Sequence, residues 1–405
     1  MKKETVKYDC SHFEGHIPCK PNKQFDVQCD DCSHYDKNTS SIIVLDTKES
    51  LLQEIFKICN FTKQELVEEI PKIQTEVTRI LFIKLGAIGD VIRTTPLLTK
   101  YKKEYGNCHF SWITHSPQVV PKDEVDVIYK WDASSVSVLA NQEFDIAVNL
   151  DKDKEACMLL SLINAREKFG FLWKDGHINT ATDKAEHKLI TGLFDHISKK
   201  NTLNYLEEIF EICHFEFNKE EYMINLNEEL SNQWKEKFKT LANSKTIIGL
   251  NTGCGLRWKT RLWPKEYWVE LIKDLEKQGY FCLLMGGSDE DEMNRYYQSE
   301  TGATYLGTFS LEEFISITNN TDIIVTPVSM MMHIALALKK QLMLFHNIFN
   351  VHEFELYGRG VIIEPTSGCD CYFGNSCSRE KRCMNDISVQ DVLSNIAALN
   401  KNLKK

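Results

Sequence analysis

Ile80-Leu-Phe-Ile-Lys-Leu-Gly86-Ala-Ile-Gly-Asp90-Val-Ile-Arg93-Thr-Thr-Pro96 is the stretch on which the reading of this chain turns. Its apolar start is too short for a helix and too continuous for a half-exposed strand, so it predicts a strand buried on both faces. Gly86 and Gly89 permit a tight turn at its end, and Val91 to Tyr105 reads as a helix. Strand, glycine turn and helix in that order open a βαβ unit.

The same alternation continues on both sides of the chain's middle. Strand candidates follow at His109-Phe-Ser-Trp-Ile-Thr114, Asp126-Val-Ile-Tyr129 and Ile146-Ala-Val-Asn-Leu150. The polar segment from 168 to 201, with His177, His187 and His196, predicts a long excursion or lid. A second set begins at Thr246-Ile-Ile-Gly-Leu-Asn-Thr-Gly253. Its further strands are expected at 280–285, 304–307, 322–325, 342–345 and 361–364, with helices at 264–278, 290–299, 311–318 and 329–340. The pattern predicts an α/β protein with two parallel-sheet halves facing a cleft, ligands binding at the carboxyl ends of the strands. The expected divisions are 1–75, a Cys-rich module with two amphipathic helices; 76–240, the first α/β half; 241–388, the second; and 389–405, a last helix.

Composition narrows the class. The chain has 405 residues, 42% of them apolar, with 48 Lys plus Arg against 58 Asp plus Glu. That excludes a disordered or fibrous protein, and the lack of a basic tract argues against nucleic acid as a partner. No apolar run reaches the ~18 residues needed to span a bilayer, and the start lacks the apolar core of a signal peptide. The expected location is the cytoplasm, with room for peripheral contact at the inner face of its membrane.

The glycine turn is not a phosphate-binding P-loop, because no lysine stands where one is needed, and it lacks the full Gly-x-Gly-x-x-Gly of a dinucleotide site. An ATPase or an oxidoreductase is therefore poorly supported. Residues 80–96 do resemble the N-terminal signature of glycosyltransferase family 9, the heptosyltransferase-like enzymes of lipopolysaccharide and other surface glycans. Leu250-Asn-Thr-Gly-Cys-Gly-Leu-Arg-Trp-Lys-Thr-Arg-Leu-Trp-Pro264 looks like the family's phosphate loop. Leu283-Leu-Met-Gly-Gly-Ser-Asp-Glu290, Thr308-Phe-Ser-Leu-Glu-Glu-Phe-Ile315 and Met332-His-Ile-Ala-Leu-Ala-Leu338 match later blocks in order and spacing. The resemblance covers residues 79 to about 393.

It implies a GT-B fold and metal-independent, inverting transfer from a nucleotide sugar, with an ADP-heptose-like donor and a lipopolysaccharide-core or other lipid-linked or surface-glycan acceptor. Such chemistry needs a carboxylate for the acceptor hydroxyl and cations or backbone N–H groups at the diphosphate. Asp90 matches the family's base; read alone, it would cap the helix. Gly89 and Arg93 fall on the acceptor side. Lys100, Lys102 and Lys103 either join Arg93 in meeting an anionic acceptor or lie on a solvated helix face. Thr252, Gly253, Arg257, Lys259 and Arg261 are the diphosphate candidates, Arg261 standing where relatives usually carry Lys. Glu290 and Glu292 are candidates for a ribose hydroxyl or simply a helix start. The family's Asp-Thr/Ser-Gly run is replaced by Val328-Ser-Met330, so Ser329, Met330 and the helix N-terminus are left to hold phosphate, and His333 is either a site residue or a core histidine. Glu353 and Glu355 either meet the donor sugar or lie on a solvated face. The loss of that acid motivates the second reading, a non-catalytic GT-B protein that binds a glycan or partner.

Fourteen cysteines remain. Cys59, Cys108, Cys157, Cys213, Cys254 and Cys282 read as small core residues. Cys10, Cys19, Cys29 and Cys32 form one tetrad, and Cys369, Cys371, Cys377 and Cys383 another. Four thiolates suit a tetrahedral Zn or Fe ion as a structural clip, and free cysteines in polar loops are the alternative.

Overall fold

The computed structural model describes residues 32–33, 77–193, 195–255, 259–374 and 376–403. The chain divides between Gln74 and Thr75, and all of the architecture below belongs to the C-terminal unit.

Its first half is a six-stranded sheet of β1 (Thr78–Ile83), β2 (Cys108–Thr114), β3 (Val127–Lys130), β4 (Glu143–Asn149), β5 (Asn164–Lys174) and β6 (His177–Thr180), in the order β3-β2-β1-β4-β5-β6. Only the β5–β6 pair is antiparallel. The central strand explains the order. Ile80 and Phe82 face one core cluster while Leu81 and Ile83 face another, so β1 needs cover on both sides and takes the middle of the sheet. Phe82 stacks on Trp112 at 5.0 Å and meets Tyr101 edge-on at 5.6 Å.

The helices of this half are α1 (Ile88–Ile92), α2 (Pro96–Tyr105), α3 (Ala133–Ala140), α4 (Lys154–Leu162), α5 (Glu186–Leu193), α6 (Asp195–Ser198) and α7 (Tyr205–Ile212). The single helix expected over 91–105 is two. Pro96 has no N–H to continue the ladder, so α1 stops short and Pro96 opens α2. The excursion after residue 168 is partly sheet, because β5 runs to Lys174 and turns back through β6. Alternating charged residues at its open edge hid the strand.

α8 (Glu228–Ala242) precedes β7 (Ile247–Asn251) and packs on the second half, through Trp234 against Phe309 at 5.4 Å and Ser231 under Asn320 at 2.9 Å. α8 therefore belongs with the second half. The second sheet is wholly parallel, β12-β11-β10-β7-β8-β9, built from β7, β8 (Phe281–Met285), β9 (Thr304–Tyr305), β10 (Ile323–Pro327), β11 (Gln341–Phe345) and β12 (Gly360–Ile363). Both sheets share one winding order, each reversing direction at its first strand. α9 (Lys265–Lys277), α10 (Asp291–Thr301), α11 (Leu311–Asn319), α12 (Met330–Ala337) and α13 (Val389–Asn402) complete it. α13 stays with this half. Val392 and Ile396 share a core with Trp268, and Asn400 bonds Tyr280 at 3.2 Å.

The two halves meet along a short stretch after β11. Asn350 donates to the Ser198 and Asn201 carbonyls, both at 2.7 Å. Glu353 pairs with Arg93, Glu355 with Lys219, Tyr357 bonds the Glu220 carbonyl and Arg359 grips Glu221 with two bonds. No helix among the described residues is long and apolar enough to cross a membrane.

Candidate active site

The loops at the carboxyl ends of β1 and β10 enclose a cavity of about 480 Å³ between the halves, lined among others by Gly89, Asp90, Arg93, Arg261, Ser329, His333, Phe349, Glu353 and Phe373. A second cavity of about 370 Å³ adjoins it within the C-terminal half, lined by Gly253, Arg261, Gly286, Gly287, Glu290, Ser329 and Met330 among others. Arg261, Ser329 and Met330 belong to both.

Asp90 lies in the first turn of α1, but Ala87 is the N-cap and no side chain caps that helix. The capping role read from composition is thus not taken. Its carboxylate instead pairs with Arg93 at 2.7 Å. Burial works to raise the Asp90 pKa, and Arg93, then Lys84 and His333, outweigh it and hold it at about 2. Arg93 lies 3.5 Å above the Tyr205 ring and gives its other arm to Glu353 at 2.7 Å. His333 is buried and neutral, its pKa pushed down to about 3 by burial and by Arg93, and its Nδ1 has no partner.

The turn carrying Asp90 is fixed by a residue that motif reading missed. Asp151, just past β4, accepts from the Leu85 N–H at 2.5 Å and the Gly86 N–H at 3.0 Å, and pairs with buried Lys84. Burial works against the Lys84 charge, while Tyr205, Asp151 and Asp90 hold its pKa above the ordinary value. The available signal was a carboxylate directly after an apolar run, the position from which a strand end reaches its neighbour's turn.

On the other wall, Asn251 at the end of β7 donates to the Gly253 carbonyl and to Thr326, both at 2.9 Å. Thr252 is buried and its hydroxyl is committed to Asn294 at 3.1 Å. Arg261 is buried; it donates to the Val328 carbonyl and, at 2.9 Å, to that of Cys254, joining the β7 loop to the loop before α12. Burial lowers its pKa, with the Cys254 thiol opposing. Ser329 begins α12 without capping it, its hydroxyl 3.1 Å from that of Thr326. Glu290 folds under the β7 loop, accepting from Gly287 at 2.9 Å and Gly255 at 3.4 Å; a Cβ on Gly253 would stand 2.2 Å from its carboxylate.

Some sequence candidates fall elsewhere. Lys259 lines a further cavity of about 680 Å³ that shares Gly253, Cys254, Gly255, Asp289 and Glu290 with the 370 Å³ one, Glu292 is exposed on α10, and Glu355 is taken by Lys219. Lys102 pairs with Glu124 at 2.5 Å and Lys100 sits over Phe215, so neither joins Arg93. Arg257 lies outside the described residues, as do Cys10, Cys19, Cys29 and Cys59; Cys32 is described without its cluster. Cys157, Cys213 and Cys282 are buried, whereas Cys108 and Cys254 are half-buried.

Cys369, Cys371, Cys377 and Cys383 do come together. Burial raises the Cys369 pKa to about 12, with Cys383 and Cys371 beside it, and Cys371 is raised by burial and by Cys377. The Cys371 N–H donates to the Cys369 sulfur at 3.4 Å. Among the described residues, however, no group of three or more His, Cys, Asp or Glu is placed to hold a metal ion, so the expected four-thiolate site is not formed as drawn.

The fold has close counterparts. A glycosyl transferase family 9 structure from Veillonella parvula DSM 2008 superposes with a TM-score of 0.63 at 18% identity, over 81% of this chain and 98% of that one. The E. coli ADP-heptose LPS heptosyltransferase II gives 0.61 at 17%, over 81% and 100%. The iron-containing dodecameric glycosyltransferase TibC of enterotoxigenic E. coli H10407 gives 0.50 at 12%, over 81% of both chains. No curated protein matches. These likenesses establish the GT-B fold. The family model for glycosyltransferase family 9 (heptosyltransferase) matches residues 134–359, more than half of the chain, and with that match the protein belongs to glycosyltransferase family 9.

Proposed function

We propose that this glycosyltransferase carries out inverting transfer of a sugar, a heptose from an ADP-heptose-like donor, to a lipopolysaccharide-core or other surface-glycan hydroxyl. One observation carries the reading: a single cavity has Asp90 on one wall and Arg261 with Ser329 on the other. Two neighbours are described as heptosyltransferases, one of them solved with ADP and with ADP-2-deoxy-2-fluoro heptose.

In this reading the Asp90 carboxylate takes the acceptor's hydroxyl proton as the new bond forms at the sugar's anomeric carbon. The bond from that carbon to the diphosphate oxygen breaks, and the diphosphate leaves with the electron pair. Arg261, the amides of the 252–255 loop and the N-terminus of α12 receive its charge. A carboxyl held at about 2 is ionised throughout the neutral range but weakly basic, which suits a proton moving late, after the hydroxyl has been acidified by bonding to the cationic carbon. Glu290 and Met330 belong to the donor side of this scheme, Gly89 and Arg93 to the acceptor side. Asp90→Asn assayed for ADP release from ADP-heptose with a truncated lipopolysaccharide acceptor tests it: a loss of at least about a hundredfold is expected from removing a general base, and full activity would remove the assignment.

The second tetrad is proposed to close around a structural Zn or Fe ion after a small adjustment of its loop. Its support is the gathering of four thiols and the iron-containing TibC relative. Elemental analysis of the purified protein should find about one ion per chain at this site, and less than a tenth would remove the idea.

A further inference from the structure

Arg93 holds a carboxylate from each half. One terminal nitrogen, Nη2, pairs with Asp90 Oδ1 at 2.7 Å, and the other, Nη1, donates to Glu353 Oε1 at 2.7 Å. Its Nε is buried and has no partner among the described residues. The guanidinium carbon lies 3.5 Å from the centre of the Tyr205 ring, a flat contact that fixes the plane of the guanidinium and leaves its direction within that plane to the two carboxylates.

Glu353 is itself firmly placed. It ends the short turn Val351–Glu353, which Asn350 opens by accepting from the His352 N–H at 3.0 Å. The same Asn350 side chain donates to the Ser198 and Asn201 carbonyls of the first half, both at 2.7 Å, so Glu353 is set against the half that carries Arg93. The pairs Glu355 with Lys219 and Arg359 with Glu221 also join the halves, but none of these four residues lines the cavity that holds Asp90. Of the three pairs, the Glu353 bond alone passes on, through Arg93, to Asp90.

The consequence lies in the two oxygens of Asp90. A guanidinium alone with a carboxylate binds it readily with both arms and covers both oxygens. Here Glu353 occupies Nη1, so Arg93 bonds Oδ1 only, and Oδ2 has no hydrogen-bond partner among the described residues. That oxygen is the one left to accept from an incoming hydroxyl.

We propose that Glu353 is a positioning residue for the transfer: from the second half it occupies one arm of Arg93, limits that arginine to a single bond with Asp90, and so keeps Asp90 Oδ2 open to the acceptor. The inference rests on the reading of Asp90 as the base and deepens it, because the base's free oxygen becomes a property of both halves together.

The test uses the ADP-release assay with ADP-heptose and the truncated lipopolysaccharide acceptor. Glu353→Met and Glu353→Ala both remove the acceptor for Nη1, the first keeping the side chain's length, and thermal unfolding shows which is folded. The folded variant should lose about tenfold in kcat with its ADP-heptose affinity, by calorimetry, unchanged. Glu353→Gln, whose amide oxygen still accepts from Nη1, should recover most of that loss. In the Asp90→Asn protein the same change at Glu353 should cost nothing further, since a residue acting through Asp90 has nothing left to act on. A folded variant with wild-type kcat, a glutamine that recovers nothing, or an equal loss in the Asp90→Asn protein overturns the positioning role and leaves the base reading standing. An Asp90→Asn protein of full activity removes the base reading, and the positioning role with it.

Discussion

The His333 ring occupies the place where a side chain on Gly89 would begin: a Cβ there would stand 2.4 Å from its Cδ2. Gly89 is on α1 and His333 on α12, so the two halves touch at a residue next to Asp90. Gly89→Ala must push His333 aside or open the cleft. The expected result is a loss of transfer of about tenfold or more with a stability cost of about 1–3 kcal/mol, the usual range for overpacking, read from ADP release and urea unfolding.

Arg93 sets the charge state of Asp90, and the sign can be followed through. The carboxyl's pKa is lowered from its ordinary 3.8 to about 2, so wild-type Asp90 stays ionised across pH 5 to 8 and supplies no acid limb there. Its contribution to stability is complete above pH ~5 and is lost as pH falls through the folded value. Arg93→Met removes the strongest opposing influence and leaves burial to act. An acid limb should then enter the rate profile between about pH 4 and 6, and a flat profile to pH 4 would show that Arg93 does not govern Asp90.

Asp151→Ala should be among the most damaging single changes in the first half. It strips the acceptor from the Leu85 and Gly86 N–H groups and leaves the buried Lys84 ammonium without its closest counter-charge. Breaking a buried pair on one side costs about 3–5 kcal/mol. Asp151→Ala/Lys84→Met should recover a measurable part of that loss in urea unfolding.

Arg261→Lys tests whether the guanidinium's shape matters beyond its charge. Lysine is the residue relatives usually carry, but here the two arms of Arg261 serve two carbonyls, of Val328 and Cys254. A lysine has no rigid fork to hold both. ADP affinity should fall about tenfold by calorimetry, whereas equal affinity would mean that the loop-to-loop join is not part of donor binding.

What could be read from the sequence divides along a physical line. Ile80 to Ile83 announce a strand because being covered on both faces demands an unbroken apolar run, and Gly86 and Gly89 mark the turn, a Cβ on Gly89 having no room beside His333. Those signals are local. Asp151 fixes the same turn from 65 residues away and Glu353 reaches Arg93 across 260; neither has a local pattern that sets it apart from a surface loop residue. Among the cations of residues 93–103, only Arg93 lines the cleft. The break at Pro96 separates it from the three lysines on α2.

The stretch from Asn350 to Arg359 has a bearing on how the chain acquires its shape. Each sheet has enough buried apolar surface to collapse round its own strands, but the long-range polar bonds of this decapeptide form only when Ser198, Asn201, Glu220, Glu221, Lys219 and Arg93 are in place on the other half. Assembly therefore has a natural last event, the docking of two formed halves, with loop closures of more than a hundred residues deferred until the local work is done. In stopped-flow refolding, changes at Asn350 or Arg359 should alter the unfolding rate and leave the main folding phase unmoved, since bonds made after the barrier weigh only on the return.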